Sequence, residues 1–400
     1  MYMSRFGVKN YKCLGEIDIP LTPIHVLIGE NDAGKTSLLE AIAALHASSE
    51  KDLSDVFPEP WEGRELVFHG SSEPRIELWG EWTGCERMEG APPESVLRYG
   101  FAVDFPPKGR SCVTFGDWME GNGERRTLAP NAPLGRTAFK AFNMGWAIPQ
   151  ADYADLKTIS MALKQAHKYA LDAKLMAVPA AYDQARKFRL DSDGFGLATL
   201  LDDITGHEPE RLIRLREEFC AYFPQFRSFH IELETALKRN YPAANIAGGG
   251  TADGKGIYFE TRQGDCIKAQ QASDGAILFL GFLALAYLPN PPNLLLIEEP
   301  ENGIYPKRLG EVIKLLKELV NRTEGVRFPQ IIMSTHSPYV LSFFEPEEVT
   351  FLSRPPDEPG GPVRARPLRD APDIHERMGG GFYLGELWYN LSEKELFRDP

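Results

Sequence analysis

Eight consecutive residues near the amino terminus have the types and spacing of a phosphate-binding loop. Gly29-Glu30-Asn31-Asp32-Ala33-Gly34-Lys35-Thr36 fits the pattern GxxxxGK[ST]. Glycines let a backbone wrap phosphate without Cβ clashes, and successive N–H groups form an anion-binding nest. The Lys35 ammonium can reach the β- and γ-phosphates of a nucleotide, and the Thr36 hydroxyl can bind Mg²⁺. The predicted nucleotide ligands are Asn31, Asp32, Ala33, Gly34, Lys35, Thr36 and Ser37.

The elements on both sides of this loop match what a phosphate loop needs. Ile24–Ile28 is a continuous apolar run, which predicts a fully buried strand. The apolar residues after the loop recur at helical spacing, which predicts a helix from about Lys35 to His46. The positive end of that helix dipole would face the phosphates.

Two carboxylates follow a second apolar strand, Leu294–Ile297. Acids at the end of a buried parallel strand lie at the carboxyl edge of the sheet, where α/β proteins bind ligands. Glu298 is predicted to hold Mg²⁺ directly or through water, and Glu299 to orient and deprotonate an attacking water. The alternative is an acidic turn that caps the next helix.

A third apolar strand, Gln330–Met333, leads into Ser334-Thr335-His336-Ser337. His336 at that strand end can donate a hydrogen bond to a γ-phosphate and so distinguish ATP from ADP. A lone histidine in this position is otherwise a structural residue. The order along the chain, with the phosphate loop first, the acidic strand next and the histidine strand last, favours a role for His336 at the γ-phosphate.

The wider pattern predicts an α/β fold. Strands and helices alternate after about Gly256, with predicted helices at Ser273–Leu288 and Lys307–Val320, which implies a parallel sheet. Residues 58–125 predict an antiparallel β-layer with strands at Glu65–His69, Arg75–Trp82, Val96–Phe105 and Cys112–Phe115. Residues 150–176 and 207–240 predict helices. We therefore expect one lobe over 1–128 that contains the phosphate loop, a mainly helical insertion over 129–244, and a second lobe over 245–400 that contains the acidic strand and the histidine strand.

Composition excludes several classes of protein. The 400 residues carry 44 Lys+Arg against 57 Asp+Glu, a net charge of −13, so non-specific coating of DNA is disfavoured. The five cysteines form no CxxC pair, which argues against a disulfide framework or a zinc ribbon. No apolar signal segment begins the chain, and its longest apolar run, Ala276–Leu288, is too short to span a bilayer. We expect a cytoplasmic protein that does not enter a membrane.

These motifs together resemble the ABC-type ATPases of the SMC/RecF/OLD-like group, stand-alone AAA-family ATPases of bacteria and archaea. The opening Phe6-Gly7-Val8-Lys9-Asn10-Tyr11-Lys12-Cys13-Leu14-Gly15 is similar to their first strand. Gln271-Ala272-Ser273-Asp274-Gly275 resembles their shortened signature, and Glu298-Glu299-Pro300-Glu301-Asn302-Gly303 their Walker B motif and D-loop. Ser334-Thr335-His336-Ser337-Pro338 resembles their H-switch.

The resemblance implies an ABC-type P-loop NTPase fold and an ATP–Mg²⁺ sandwich between two copies. Ser273 and Gly275 of one protomer would contact the γ-phosphate held by Lys35 of the other. The chain departs from the family at three positions: the signature is SDG, Glu298 replaces a common Asp, and Tyr305 replaces a common His. Gln150 is the only suggestion for a Q-loop glutamine.

The leading functional expectation is a motor or switch in DNA maintenance or anti-phage defence, acting with an effector such as a nuclease or toxin. A slow-turnover, ATP-gated scaffold is the alternative. A fused nuclease would need an acidic domain after the H-switch, and about 47 residues follow Ser353. A small-molecule P-loop kinase would not need the signature, glutamates and histidine together.

A local excess of positive charge suggests where a partner could bind. Residues 156–190 contain seven basic residues against two acidic ones. This basic stretch predicts a surface for nucleic acid or an acidic partner, or else a solvated helix face. Its basic members are Lys157, Lys164, Lys168, Lys174, Arg186, Lys187 and Arg189.

Overall fold

The computed structural model forms two compact units. Unit 1 comprises Met1–Lys168, Asn293–Leu296 and Pro329–Pro400, and unit 2 comprises Tyr169–Pro292 and Ile297–Phe328. The structure describes residues 1–57, 61–84, 96–121, 124–128, 136–137, 140, 153–182, 187–237, 250–302, 304, 306–321, 330–354, 360–391 and 393–397.

The first sheet of unit 1 is antiparallel and has six strands in the order β2-β1-β4-β5-β6-β7. Its inward residues alternate with outward ones, as in β4, where every second residue is buried. That alternation is what a sheet with one packed face and one open face requires. The strands are β1 Tyr2–Tyr11, β2 Leu14–Pro20, β4 Arg75–Thr83, β5 Leu97–Asp104, β6 Val113–Gly121 and β7 Glu124–Leu128.

The second sheet has the order β16-β15-β3-β14-β13-β8. Strand β3 runs parallel to both of its neighbours, β14 and β15, and all five of its residues are buried. Strands covered on both faces need such continuous apolar runs. The strands are β3 Ile24–Ile28, β8 Ala166–Tyr169, β13 Leu294–Glu298, β14 Gln330–Thr335, β15 Val349–Ser353 and β16 Arg364–Pro367.

Helix α1, Lys35–Ala47, lies between these two sheets and packs against β1, β4 and β14. Its apolar side chains join the main core of unit 1. The other helices of unit 1 are short: α2 Leu53–Val56, α3 Tyr153–Leu163, α9 Pro338–Leu341, α10 Ile374–Gly379, α11 Leu384–Asn390 and α12 Glu393–Phe397.

Unit 2 contains a four-stranded sheet in the order β10-β9-β11-β12, covered by helices. Phe219, Phe223, Phe229, Phe259 and Phe279 form its aromatic core. The strands are β9 Ala180–Ala181, β10 Phe226–Leu237, β11 Thr251–Thr261 and β12 Cys266–Lys268. The helices are α4 Ala173–Ala177, α5 Leu197–His207, α6 Pro209–Tyr222, α7 Asp274–Ala286 and α8 Pro306–Asn321.

Two predicted helices are partly wrong. The helix expected over 150–176 breaks after α3, where Gln165 has a positive φ of 61° and the chain enters β8. The helix expected over 207–240 ends at Tyr222, and Phe226–Leu237 forms β10, which pairs along its length with β11. Pairing with a distant strand overrides the local helix preference. The strand predicted at Glu65–His69 is wrong: its first two residues end a 3₁₀ turn, Gly63–Leu66, and Val67 makes only an isolated antiparallel bridge with Tyr11. The three-part domain division stays a prediction.

Candidate functional site

The predicted phosphate loop connects β3 to α1 through two residues with a positive φ. The chain leaves β3 at Ile28, turns through Asp32 at φ 63° and Gly34 at φ 90°, and enters α1 at Lys35. The amide of Ala33 donates to the carbonyl of Glu30 at 3.2 Å, which closes the turn. The left-handed conformation at Gly34 favours glycine because a Cβ is strained there.

Lys35 is folded onto the loop that precedes it. Its Nζ donates hydrogen bonds to the carbonyls of Gly29 and Glu30, both at 2.8 Å, and the residue is 6% exposed. The ammonium is therefore held inside the ring of backbone that is predicted to surround the phosphates. Thr36, Asn31 and Asp32 are exposed at the same loop.

Gly29 is required by close packing of two backbone segments. A Cβ built on Gly29 would lie 2.3 Å from the carbonyl oxygen of Leu352 in β15 and 3.0 Å from the Cβ of Ala33. Backbone atoms cannot move aside as a flexible side chain can. The loop thus rests directly on the end of β15.

The strand that leads into His336 lies beside the strand that leads into the predicted phosphate loop. Strands β14 and β3 are parallel neighbours, and their register pairs Ser334 with Leu27 and Thr335 with Ile28. The residues that follow these pairs are His336 and Gly29. His336 is exposed, and the amide of Ser337 donates to the Thr335 hydroxyl at 3.0 Å, which orders the turn after the strand. The structure therefore brings the predicted H-switch and the phosphate loop to one edge of the sheet.

Two histidines of unit 1 are buried, His25 near the start of β3 and His46 near the end of α1. His25 in β3 contacts the hydroxyls of Thr22 at 3.1 Å and Thr350 at 2.9 Å, and burial lowers its pKa to about 3. His46 in α1 contacts the carbonyl of Leu163 at 3.1 Å, and burial lowers its pKa to about 4. Desolvation penalises the charged imidazolium, so both are neutral at physiological pH.

The predicted metal ligand Glu298 and the predicted catalytic base Glu299 belong to unit 2. Glu298 is the last residue of β13, and Glu299 follows with a positive φ of 46°. The Nδ2 of Asn302 donates to the Oε2 of Glu299 at 2.8 Å. A left-handed non-glycine residue costs about 1–3 kcal/mol and is found disproportionately at active sites. Sequence reasoning predicted the two carboxylates but not this backbone conformation.

The signature residues also belong to unit 2. Ser273 caps helix α7, and its hydroxyl accepts a hydrogen bond from the amide of Ala276 at 3.4 Å. Ser273 is exposed, whereas Gly275 is buried in the first turn. This geometry matches the predicted helix start. Gly303 and Tyr305 of the D-loop region and Gln150, suggested for the Q-loop, lie outside the described residues.

One pocket beside the phosphate loop was not predicted. It has a volume of 360 Å³ and lies next to the first turn of α1, where the thiol of Cys13 donates to the Ser37 hydroxyl at 3.5 Å. Its lining residues come from distant parts of the sequence, so no sequence motif predicted the pocket. The lining residues are Lys12, Cys13, Ser37, Glu65, Phe68, His69, Arg354, Gly360 and Gly361.

The predicted basic stretch is not one helix. Lys157 lies in α3, Lys168 in β8 and Lys174 in α4, and the stretch runs from unit 1 into unit 2. Lys168 lies 3.6 Å from the carboxylate of Glu40. Arg186 lies outside the described residues.

The hydroxyl of Thr36 in unit 1 and the carboxylate of Glu298 in unit 2 are oxygen donors of the kind that Mg²⁺ prefers. Among the residues described above, no three His, Cys, Asp or Glu side chains cluster into a metal cage. Likewise, no helix in the described part of the chain is long and apolar enough to cross a membrane.

Two family models match the chain. An "AAA ATPase domain" model matches residues 1–77, which contain the phosphate loop. A model described as "AAA domain, putative AbiEii toxin, Type IV TA system" matches residues 171–342, which contain Ser273, Glu298, Glu299 and His336. An OLD nuclease from Thermus scotoductus (strain ATCC 700910 / SA-01) is 43% identical over 56 residues. That match spans 14% of this chain and 9% of the nuclease.

Two solved structures share the fold over nearly the whole chain. The SmcHead bound to the C-winged helix domain of ScpA covers 95% of this chain and 100% of its own, with a TM-score of 0.53 and 17% identity. The Smc head domain of Pyrococcus furiosus, with an extended coiled coil and bound to the C-terminal domain of ScpA, covers 94% of this chain and 99% of its own. Its TM-score is 0.52 at 15% identity. The predicted fold class is confirmed.

Proposed function

We propose that this chain, which has an SMC/OLD-like ABC-type ATPase domain, binds ATP with Mg²⁺, hydrolyses it to ADP and phosphate, and pairs with a second copy around the nucleotide. The observation that carries the proposal is the register of β3 and β14: the residues that follow their last pair are Gly29 and His336. A phosphate held in the loop would then have a histidine donor at its open side.

Each site residue has a proposed role. The Lys35 ammonium and the loop amides hold the β- and γ-phosphates, and Thr36 and Glu298 hold Mg²⁺, which neutralises charge on the phosphates. Glu299 orients and deprotonates the attacking water, and His336 donates to the γ-phosphate. Ser273, at the N-terminus of α7, offers a positive helix end to the γ-phosphate bound by a second copy.

The wider role is a motor or switch in DNA maintenance or anti-phage defence that works with an effector protein. Support comes from the toxin–antitoxin description of one matching family and from the OLD nuclease relative. The SMC heads that share the fold were solved with a bound protein, ScpA. The alternative is a slow-turnover scaffold that holds or releases its effector. A protein that binds ATP but hydrolyses it slowly would favour this alternative.

Steady-state release of phosphate from ATP–Mg²⁺ tests the proposal. The wild type is compared with Lys35→Ala and with Lys51→Ala, an exposed lysine just after the same helix. We expect Lys35→Ala to lose turnover or to weaken ATP binding by about tenfold or more, which is about 1.4 kcal/mol. Lys51→Ala should behave as wild type. Unchanged affinity and turnover in a folded Lys35→Ala protein would remove the phosphate-loop assignment.

A further inference from the structure

Five large aromatic side chains near the carboxyl end of the chain are exposed. They come from α9, α11 and the residues next to them, all in unit 1. Exposed apolar side chains that occur together, rather than singly, mark interaction sites. We call these residues the aromatic patch: Tyr339 at 62% exposure, Phe343 at 43%, Phe382 at 56%, Tyr383 at 63% and Tyr389 at 75%.

The two helices that carry or adjoin these residues, α9 and α11, pack closely on each other. A Cβ built on Gly385 would lie 2.0 Å from the carbonyl oxygen of Pro338 and 2.9 Å from the Ser342 hydroxyl. The first turns of the two helices therefore touch backbone to backbone. Tyr339 and Tyr383 are the chain neighbours of Pro338 and of the first residue of α11, so they lie at this contact.

The sequence segments that contain the aromatic patch are strongly acidic. Segments 338–348 and 369–391 contain seven carboxylates, against only Arg369 and Arg377 as permanent cations. His375 is paired with Glu347 at 3.1 Å. The carboxylates are Glu345, Glu347, Glu348, Asp370, Asp373, Glu376 and Glu386.

The negative charge of these segments indicates which class of partner is favoured. Phosphate backbones and anionic membrane surfaces are repelled by an acidic surface. A second copy of the same patch would bring like charges together, which disfavours self-pairing. Aromatic side chains are the preferred anchors of protein interfaces, and their faces also attract cations.

We propose that the aromatic patch binds a segment of a partner protein in which Lys or Arg side chains flank apolar ones. The apolar side chains pack on the exposed rings, and the cations pair with the surrounding carboxylates. The proposal deepens the effector part of the proposed function and rests on it. Helix α9 begins two residues after His336, so an occupied patch would be covalently next to the H-switch.

Fluorescence anisotropy with a labelled Leu/Lys amphipathic helical peptide tests this inference. A Leu/Glu peptide of the same length is the charge control, and nucleotide is left out so that the result is independent of the ATP site. The protein variants are Phe382→Ser with Tyr389→Ser, and Leu233→Ser as the matched control. Leu233 is 73% exposed but lies in unit 2.

We expect the Leu/Lys peptide to bind at least about tenfold more tightly than the Leu/Glu peptide. The double variant should lose about tenfold or more in affinity, as loss of interface anchors does, whereas Leu233→Ser should not. Glu345→Lys gives a second variant with intact aromatic residues, and it should also weaken binding. Equal affinity in all four proteins, or equal binding of both peptides, overturns the proposal. Normal ATP turnover alongside such a result leaves the ATPase proposal standing.

Discussion

Thr335 lies beside Ile28 as its parallel-strand partner, although 306 residues separate the two in sequence. The chain between them contains all of unit 2, including Ser273, Glu298 and Glu299. The sheet edge that carries Gly29 and His336 can therefore form only after most of the chain has been synthesised. Non-local parallel pairing of this kind is slow to form because loop entropy is lost before contacts are gained.

Replacing Glu299 with Gln should separate binding from hydrolysis. The amide keeps the shape and can still accept the hydrogen bond from Asn302, but it cannot take a proton. We expect ATP–Mg²⁺ affinity near wild type and turnover lower by about 10²–10⁴, the usual contribution of a general base. Single-turnover phosphate release measures this directly.

Glu298→Gln is the companion variant for that experiment. It should weaken Mg²⁺ binding and so raise the Mg²⁺ concentration needed for half-maximal turnover, because a neutral amide is a poor ligand for a hard cation. If Glu298→Gln abolishes turnover with metal binding intact while Glu299→Gln turns over normally, the two roles are reversed.

Replacing Ser273 with Arg should block hydrolysis without blocking ATP binding. Ser273 is an exposed helix cap, so the larger side chain has room in one copy but would enter the nucleotide face of the other. Light scattering should show ATP-driven pairing in Glu299→Gln and none in Glu299→Gln with Ser273→Arg. A mass that is monomeric with and without ATP–Mg²⁺ in Glu299→Gln contradicts a composite site.

Gly29→Ala should distort the predicted phosphate loop where it contacts β15. The added Cβ would lie 2.3 Å from the Leu352 carbonyl oxygen, so either β15 or the loop must shift. We expect the free energy of unfolding to fall by about 1–3 kcal/mol, as for other overpacked sites, with loss of ATP binding. Gly116→Ala is the matched control, since no atom lies within 4 Å of its Cβ position. Thermal unfolding with equal losses in both variants would refute the close contact.

Acid should destabilise the protein through His25 and His46. Burial lowers their pKa values to about 3 and about 4, from 6.5 in the unfolded chain. As pH falls below 6.5 the unfolded state takes up protons first, so stability that is full above 6.5 is lost toward pH 4. Between pH 7 and pH 5 each histidine should cost about 2 kcal/mol.

His46→Gln isolates one of these contributions, because the amide can still donate to the Leu163 carbonyl. The free energy of unfolding of the variant should fall less steeply with acid than that of the wild type. His207→Gln, which changes an exposed histidine, should keep the wild-type slope. Parallel urea-denaturation profiles for wild type and His46→Gln from pH 7 to pH 5 would rule out a neutral buried His46.

The parts of the fold that the sequence predicted are those whose burial is total or strictly periodic. The apolar residues of Ile24–Ile28 and Ile331–Met333 form uninterrupted buried stretches, as strands covered on both faces require. Phe226–Leu237 was misassigned because its Glu, Leu and Ala residues favour a helix, and its strand state depends on β11. The positive φ of Glu299 is a conformation that its residue type does not favour, and the pocket beside Ser37 is lined by residues far apart in sequence, so neither leaves a local pattern.

The hydrogen bonds from Lys35 to the carbonyls of Gly29 and Glu30 have a consequence for how an anion would enter. These two bonds tie the lysine to the backbone of its own loop and so restrict the conformations of both. In the proposed function, phosphate binding would exchange hydrogen-bond partners of Lys35 instead of folding the loop. Such preorganisation lowers the ordering cost of association. Release would be eased in the same way, because the two carbonyls could accept from the lysine again.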